Sequence, residues 1–133
     1  VFTDIDISGR IGQPGDMARR ARRPPAPSDE LLDLMASRFR ALADPSRLRL
    51  LHVLMAGECS VGELDSQTGL GQPNVSRHLA LLRREGVVAR RAAGNRALYR
   101  IVDPTVRRLC AMVCGSLEDR FADGLEAIQG AGI

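Results

Sequence analysis

The chain is predicted to be mainly α, and three observations carry the prediction. Ser60 opens a short helix, Gly69-Leu70-Gly71 turns the chain, and a second helix of about twelve residues follows, which together make a helix-turn-helix pattern. Two strand-like runs around a Gly-Asn turn come directly after it, with Arg on their arms and tip. A long amphipathic helix closes the chain. The resulting order, α-α-α-α-β-β-α, is the layout of a winged helix-turn-helix.

At 133 residues the chain has room for one domain. It is assigned to residues 28–129, between an N-terminal arm, 1–27, and a tail, 130–133. Residues 8–27 carry Gly9, Gly12, Gly15, four Pro and the cluster Arg19, Arg20, Arg22 and Arg23. They read as a flexible basic arm, whose arginines either add nonspecific phosphate contacts or are simply solvated. The chain opens on Val1, so Met17 is a candidate native start and residues 1–16 a candidate upstream segment.

Ser28 is an N-cap with Asp29 and Glu30 in the first turn, and Leu31, Leu32, Met35, Phe39 and Leu42 recur at helical spacing. Asp44-Pro45-Ser46 ends that helix and begins another, whose expected apolar stripe is Leu48, Leu51, Leu54 and Met55. Ser60 and Glu63 form a Ser-x-x-Glu capping box over a helix at residues 61–67. Pro73 suits a first helical turn, where its missing N–H is harmless, and Val75, Leu79 and Leu82 mark the buried face of a helix that runs to Glu85. The hairpin is expected at residues 87–92 and 96–102, around Ala93-Gly94-Asn95.

Asp103-Pro104 opens the last helix, with Val106, Leu109, Val113, Leu117, Phe121, Leu125 and Ile128 at spacings of three and four. At roughly 1.5 Å per residue it reaches roughly 40 Å, more than a small core needs for cover. A domain of this size buries only about two-thirds of its unfolded surface, so the surplus apolar face is expected to meet a second subunit.

The net charge is only +3, yet all 19 basic residues are Arg. Between Gln72 and Arg100 stand Arg77, Arg83, Arg84, Arg90, Arg91, Arg96 and Arg100 against Glu85 alone, a local +6 that leaves the rest of the chain at −3. Such a block is either a phosphate-binding face or a solvated arginine-rich surface. Gln72, Asn74, Ser76, Arg77 and His78 lie at the start of the second helix of the pair, away from the Val75/Leu79/Leu82 stripe. Asn and Gln can bond adenine bidentately, Arg guanine, and Ser a base or phosphate, which makes this a candidate reading end for double-stranded DNA. Arg90, Arg91, Asn95 and Arg96 occupy the wing, where arginines grip phosphates, enter the minor groove or simply protect an edge strand by their charge.

Other classes are disfavoured. Aromatic residues are 3% of the chain, with no Trp and a single Tyr99, too few for a base-stacking platform. There is no His-Glu-x-x-His and no phosphate-cradling glycine loop before a Lys, and two His leave a thin acid-base repertoire, so the chain is read as no enzyme. No run of 18 apolar residues suits a membrane, the start (Asp4, Asp6) is acidic, and three cysteines lack framework spacing, which together point to a cytoplasmic protein.

The stretch Leu42-Ala43-Asp44-Pro45-Ser46-Arg47-Leu48-Arg49-Leu50-Leu51, with Gly71-Gln72-Pro73-Asn74-Val75-Ser76-Arg77-His78-Leu79 and Gly86-Val87-Val88, resembles the ArsR/SmtB family of transcriptional repressors. The resemblance spans residues 35–120. It implies a homodimer, joined through its first and last helices, that represses from a palindromic operator and leaves it when an effector binds. The family's effector motifs are absent. Arsenic-sensing members carry Cys-Val-Cys-Asp-Leu where this chain has Ser60-Val61-Gly62-Glu63-Leu64, with Cys59 one position too early. Zinc-sensing members use Asp and His along the last helix, whereas His52 and His78 lie elsewhere.

Cys110 and Cys114 remain, four apart and hence on one helical face. A dimer is expected to bring four thiols near its axis, where thiolates select soft ions such as arsenic(III), cadmium or copper(I), or react with oxidants and sulfane sulfur. No cofactor is certain; arsenic(III) or another thiophilic metal ion is the candidate inducer, with Cys110, Cys114 and Cys59 as candidate thiol sensors and Cys110 and Cys114 as candidate metal ligands. The same cysteines also serve as small core residues. The alternative reading is a winged-helix module for protein or RNA contacts, with structural cysteines and no effector.

Overall fold

In a computed structural model of the chain, residues 25–130 are described, with side chains through Gly124. Five helices and one hairpin follow the expected order: α1 (Asp29–Leu42), α2 (Pro45–Leu54), α3 (Val61–Thr68), α4 (Gln72–Arg84), β1 (Val88–Ala93), β2 (Arg96–Ile101) and α5 (Pro104–Gly130). Most of the basic arm, residues 1–24, and residues 131–133 of the tail lie outside the described residues. Among the described residues no helix is long and apolar enough to cross a membrane.

Short polar side chains start four of the helices. Leu31 N donates to Ser28 Oγ at 3.2 Å, Arg47 N to Asp44 Oδ1 at 3.0 Å, Glu63 N to Ser60 Oγ at 3.2 Å and Thr105 N to Asp103 Oδ1 at 2.9 Å. Each satisfies one N–H that helix geometry leaves without an internal partner. The Arg47 N–H holds the Asp44 carboxyl below its ordinary value, outweighing the upward pull of burial. The box at Ser60 is half made, because Ser60 Oγ donates to Glu63 Oε1 at 3.1 Å.

The core is aliphatic. Leu50, Leu51 and Leu54 of α2, Leu64 of α3 and Val75, Leu79 and Leu82 of α4 are wholly buried, joined by Val87, Val88, Ile101 and Val106. At about 1.5–3 kcal/mol for each fully buried aliphatic side chain, this cluster supplies the main favourable term for so small a unit. The α2 stripe differs from the expected one: Leu50 is buried and Leu48 is 42% exposed. Both register choices give i, i+3 and i+4 spacings in a helix with Leu on two faces, and packing against α3 and α4 selects the second. Leu34 onward forms one compact unit.

The wing is a two-stranded antiparallel hairpin, in which Ala93 pairs with Arg96 and Val88 with Ile101. The loop is therefore Gly94-Asn95, one residue shorter than expected. Gly94 has φ +63° and Asn95 is not at positive φ, the φ signature of a type II′ turn, which matches strand twist and favours Gly in that place. On α5, Val106 is buried, Leu109 and Cys110 pack against the core, and Val113, Leu117 and Phe121 are 49%, 57% and 71% exposed.

Candidate nucleic-acid interface

The turn between α3 and α4 sets the direction of α4, which carries the candidate reading residues. Gly69 caps α3 in the left-handed region at φ +69°, and Gly71 has φ +87°, a region that side chains strain to enter. Asp65 joins the two sides of the turn, its carbonyl accepting from Gly69 N at 2.7 Å and its Oδ1 from Gly71 N at 2.8 Å. With Val75, Leu79 and Leu82 wholly buried on one face, Gln72, Asn74, Ser76 and Arg77 are exposed on the other.

Two of these residues are already organised. Asn74 Nδ2 donates to Leu70 O at 2.9 Å, and Arg77 Nη2 donates to Asn74 Oδ1 at 2.8 Å. The Asn74 side chain thus holds the Arg77 guanidinium on the exposed face. His78 is half-buried, with Nδ1 3.5 Å from Arg47 Nη1. It is less available to a duplex than its four exposed neighbours.

Arg90 and Asn95 of the wing are exposed. Arg91 Nε donates to Glu58 Oε2 at 2.6 Å and Arg96 Nη1 to Glu63 Oε1 at 2.9 Å, so both of these guanidiniums have carboxylate partners. Glu58, Glu63 and Arg47 are the residues that sequence reasoning missed here. Their partners lie 33, 33 and 31 positions away. Such distant pairing leaves no local signal.

The thiols are separated by environment. Cys59 is buried, Cys110 half-buried and Cys114 exposed, with Cys114 Sγ 3.7 Å from Glu118 Oε1. Burial, and next the Glu63 charge, pushes the Cys59 thiol above its ordinary value; burial, and next Cys114, does the same to Cys110. Among the described residues no group of three or more His, Cys, Asp or Glu is placed to hold a metal ion. Cys110 and Cys114 supply two donors from one chain, and a soft ion bound there would have to displace thiol protons.

Residues 44–90 match the family model described as bacterial regulatory protein, arsR family. The chain is 41% identical over 103 residues to Rv0081 of Mycobacterium tuberculosis, an uncharacterized HTH-type transcriptional regulator, covering 77% of this chain and 90% of that protein. The Rv0081 crystal structure superposes with a TM-score of 0.65 over 74% of this chain and 99% of that one. The homodimeric winged helix-turn-helix DNA-binding domain of Mb0332 from Mycobacterium bovis, solved by NMR, has a TM-score of 0.65 at 34% identity, covering 74% and 94% of the two chains. A probable mercury resistance operon repressor of Streptomyces lividans is 43% identical over 77 residues, 58% of this chain and 62% of that protein.

Proposed function

Because the chain belongs to the arsR family of bacterial regulatory proteins, and so among transcriptional regulators rather than enzymes, we propose that it is a cytoplasmic, dimeric repressor. It reads a palindromic operator with the start of α4 and grips the flanking phosphates with its wing. The observation that carries this reading is the exposed set Gln72, Asn74, Ser76 and Arg77, opposite a wholly buried Val75/Leu79/Leu82 stripe. Those side chains offer the donors and acceptors that base edges in a major groove require.

Repression is supported by the mercury-resistance repressor among its relatives, and dimerisation by the homodimeric Mb0332 domain. The apolar residues exposed on α5 fit the same dimer, since isolated monomers rarely leave a contiguous apolar face in water. The effector acts on thiols: Cys110 and Cys114, doubled by a partner, give four soft donors suited to a thiophilic ion such as arsenic(III), or to oxidants and sulfane sulfur.

The test is a titration of wild type against palindromic and scrambled duplexes at several salt concentrations, then of the bound complex with arsenite, cadmium, zinc, peroxide and polysulfide. The reading predicts salt-steep binding, single-base sensitivity and release by a thiophilic agent, with release lost in Cys110→Ser or Cys114→Ser. Sequence-blind binding overturns the operator, and unimpaired release from both serine variants overturns the thiol sensor.

A further inference from the structure

Between the C-terminal ends of α1 and α4 and the first turn of α2 lies a cleft of about 200 Å³, lined by Ser37, Arg40, Arg47, Arg84 and Glu85 with Ala41 and Leu81. Three arginines thus border one concavity with one glutamate. Ser37 Oγ lies 3.1 Å from both Glu85 oxygens, so that carboxylate already has a partner. Arg47 is fixed in place, with Nε donating to Ala41 O at 2.6 Å and Nη2 to Arg40 O at 3.1 Å. Both carbonyls lie in the last turn of α1, where Arg40 O also accepts from Ala43 N at 3.3 Å, so Arg47 caps that helix end beside the cleft. Among the described residues Arg40 and Arg84 have no carboxylate within ion-pair distance.

Cations gathered around one hollow repel one another, and an anion seated among them turns the repulsion into attraction. The volume is below the roughly 300–1,000 Å³ of sites for drug-sized ligands, which suits a single tetrahedral anion. Arginine forks match the oxygens of phosphate two at a time. We propose that this cleft binds a phosphate group, supplied by the duplex backbone or by a small phosphorylated ligand. Its position suits the first source, because Arg84 ends the helix that begins with Gln72, Asn74, Ser76 and Arg77, and Arg47 on α2 reaches His78 of that helix. Only that source rests on the operator reading; the second stands without it.

The experiment uses the full chain, with Arg40→Ala, Arg84→Ala and Glu85→Gln, each checked for helicity by circular dichroism. One arm measures Tm against inorganic phosphate at ionic strength held constant with chloride. The other measures the salt slope of binding to a palindromic duplex. A backbone source predicts that each Arg→Ala variant loses about one from the slope and weakens binding evenly across sequences. A free ligand predicts that phosphate raises the Tm of wild type, more so of Glu85→Gln, and not of the Arg→Ala variants, with the duplex slope unchanged. Variants that match wild type in both arms overturn the proposal. Failure of wild type to bind any duplex overturns the operator reading alone, since the phosphate arm still reads the cleft.

Discussion

Cys59 and Tyr99 exchange both backbone hydrogen bonds, Cys59 N to Tyr99 O at 3.1 Å and Tyr99 N to Cys59 O at 2.8 Å. The wing is thereby tied through β2 to the segment that opens α3. Glu58 and Glu63 flank Cys59 and hold Arg91 and Arg96, so one bridge and two ion pairs fasten the hairpin to the helix-turn-helix.

On the proposed reading, those pairs compete with phosphate for the wing arginines. Exposed ion pairs are worth about 0–1 kcal/mol, so freeing Arg96 by Glu63→Gln is expected to tighten duplex binding by up to about fivefold. Arg96→Ala should weaken it evenly across sequences, because phosphate contacts carry no base information. Fluorescence anisotropy on two unrelated duplexes measures both, and looser binding by Glu63→Gln would reject the competition.

Asn74 and Arg77 are expected to act as one unit. Arg77→Ala should relax base preference at one operator position, a loss of about 1–3 kcal/mol. Asn74→Ala should cost more than its own contact, because Arg77 loses the acceptor that holds it. In a double-mutant cycle the two losses then sum to more than the double variant shows, with coupling of roughly 0.5 kcal/mol or greater. Strict additivity would mean that the pair seen at 2.8 Å parts on the operator.

The legible parts of this fold are those written within a few residues. The Ser60 cap, Pro73, the buried Val75/Leu79/Leu82 stripe and the Gly-Asn turn are local signals, and local geometry decides them. Leu48 and Leu50 were not separable, since either register gives α2 an apolar stripe and only contact with other helices chooses. The exposed face of α4 follows from its stripe by exclusion. The partners of the candidate interface, Arg47 for His78 on α4 and Glu63 for Arg96 on the wing, come from residues about thirty positions away. Closing those loops is a tertiary event, without periodicity to announce it.

The exposed face of α5 gives a separate prediction. Val113, Leu117 and Phe121 recur every fourth residue and lie outside the core. Leu117→Asp or Phe121→Asp is expected to shift sedimentation from dimer to monomer while the circular dichroism spectrum stays helical. Duplex affinity should fall at least tenfold, since two linked half-site contacts become one. A charged variant that still sediments as a dimer would move the subunit interface elsewhere.

Acid should unfold the protein through identifiable carboxylates. Burial pulls the Asp103 carboxyl upward, yet the Thr105 N–H and the Arg38 guanidinium outweigh it, and the carboxyl ends below its ordinary value; Asp44 is lowered by the Arg47 N–H. Both bind a proton less readily when folded than when unfolded. Their contribution is therefore fully present above the unfolded value, near pH 4, and is lost as pH falls through the lower folded values. Urea midpoints should accordingly drop below about pH 4. Asp44→Asn with Asp103→Asn keeps a side-chain oxygen for each cap but removes the charge, so the double variant should start less stable at neutral pH and lose less on acidification. Midpoints that fall as steeply in the double variant as in wild type would assign the acid limb to other carboxylates.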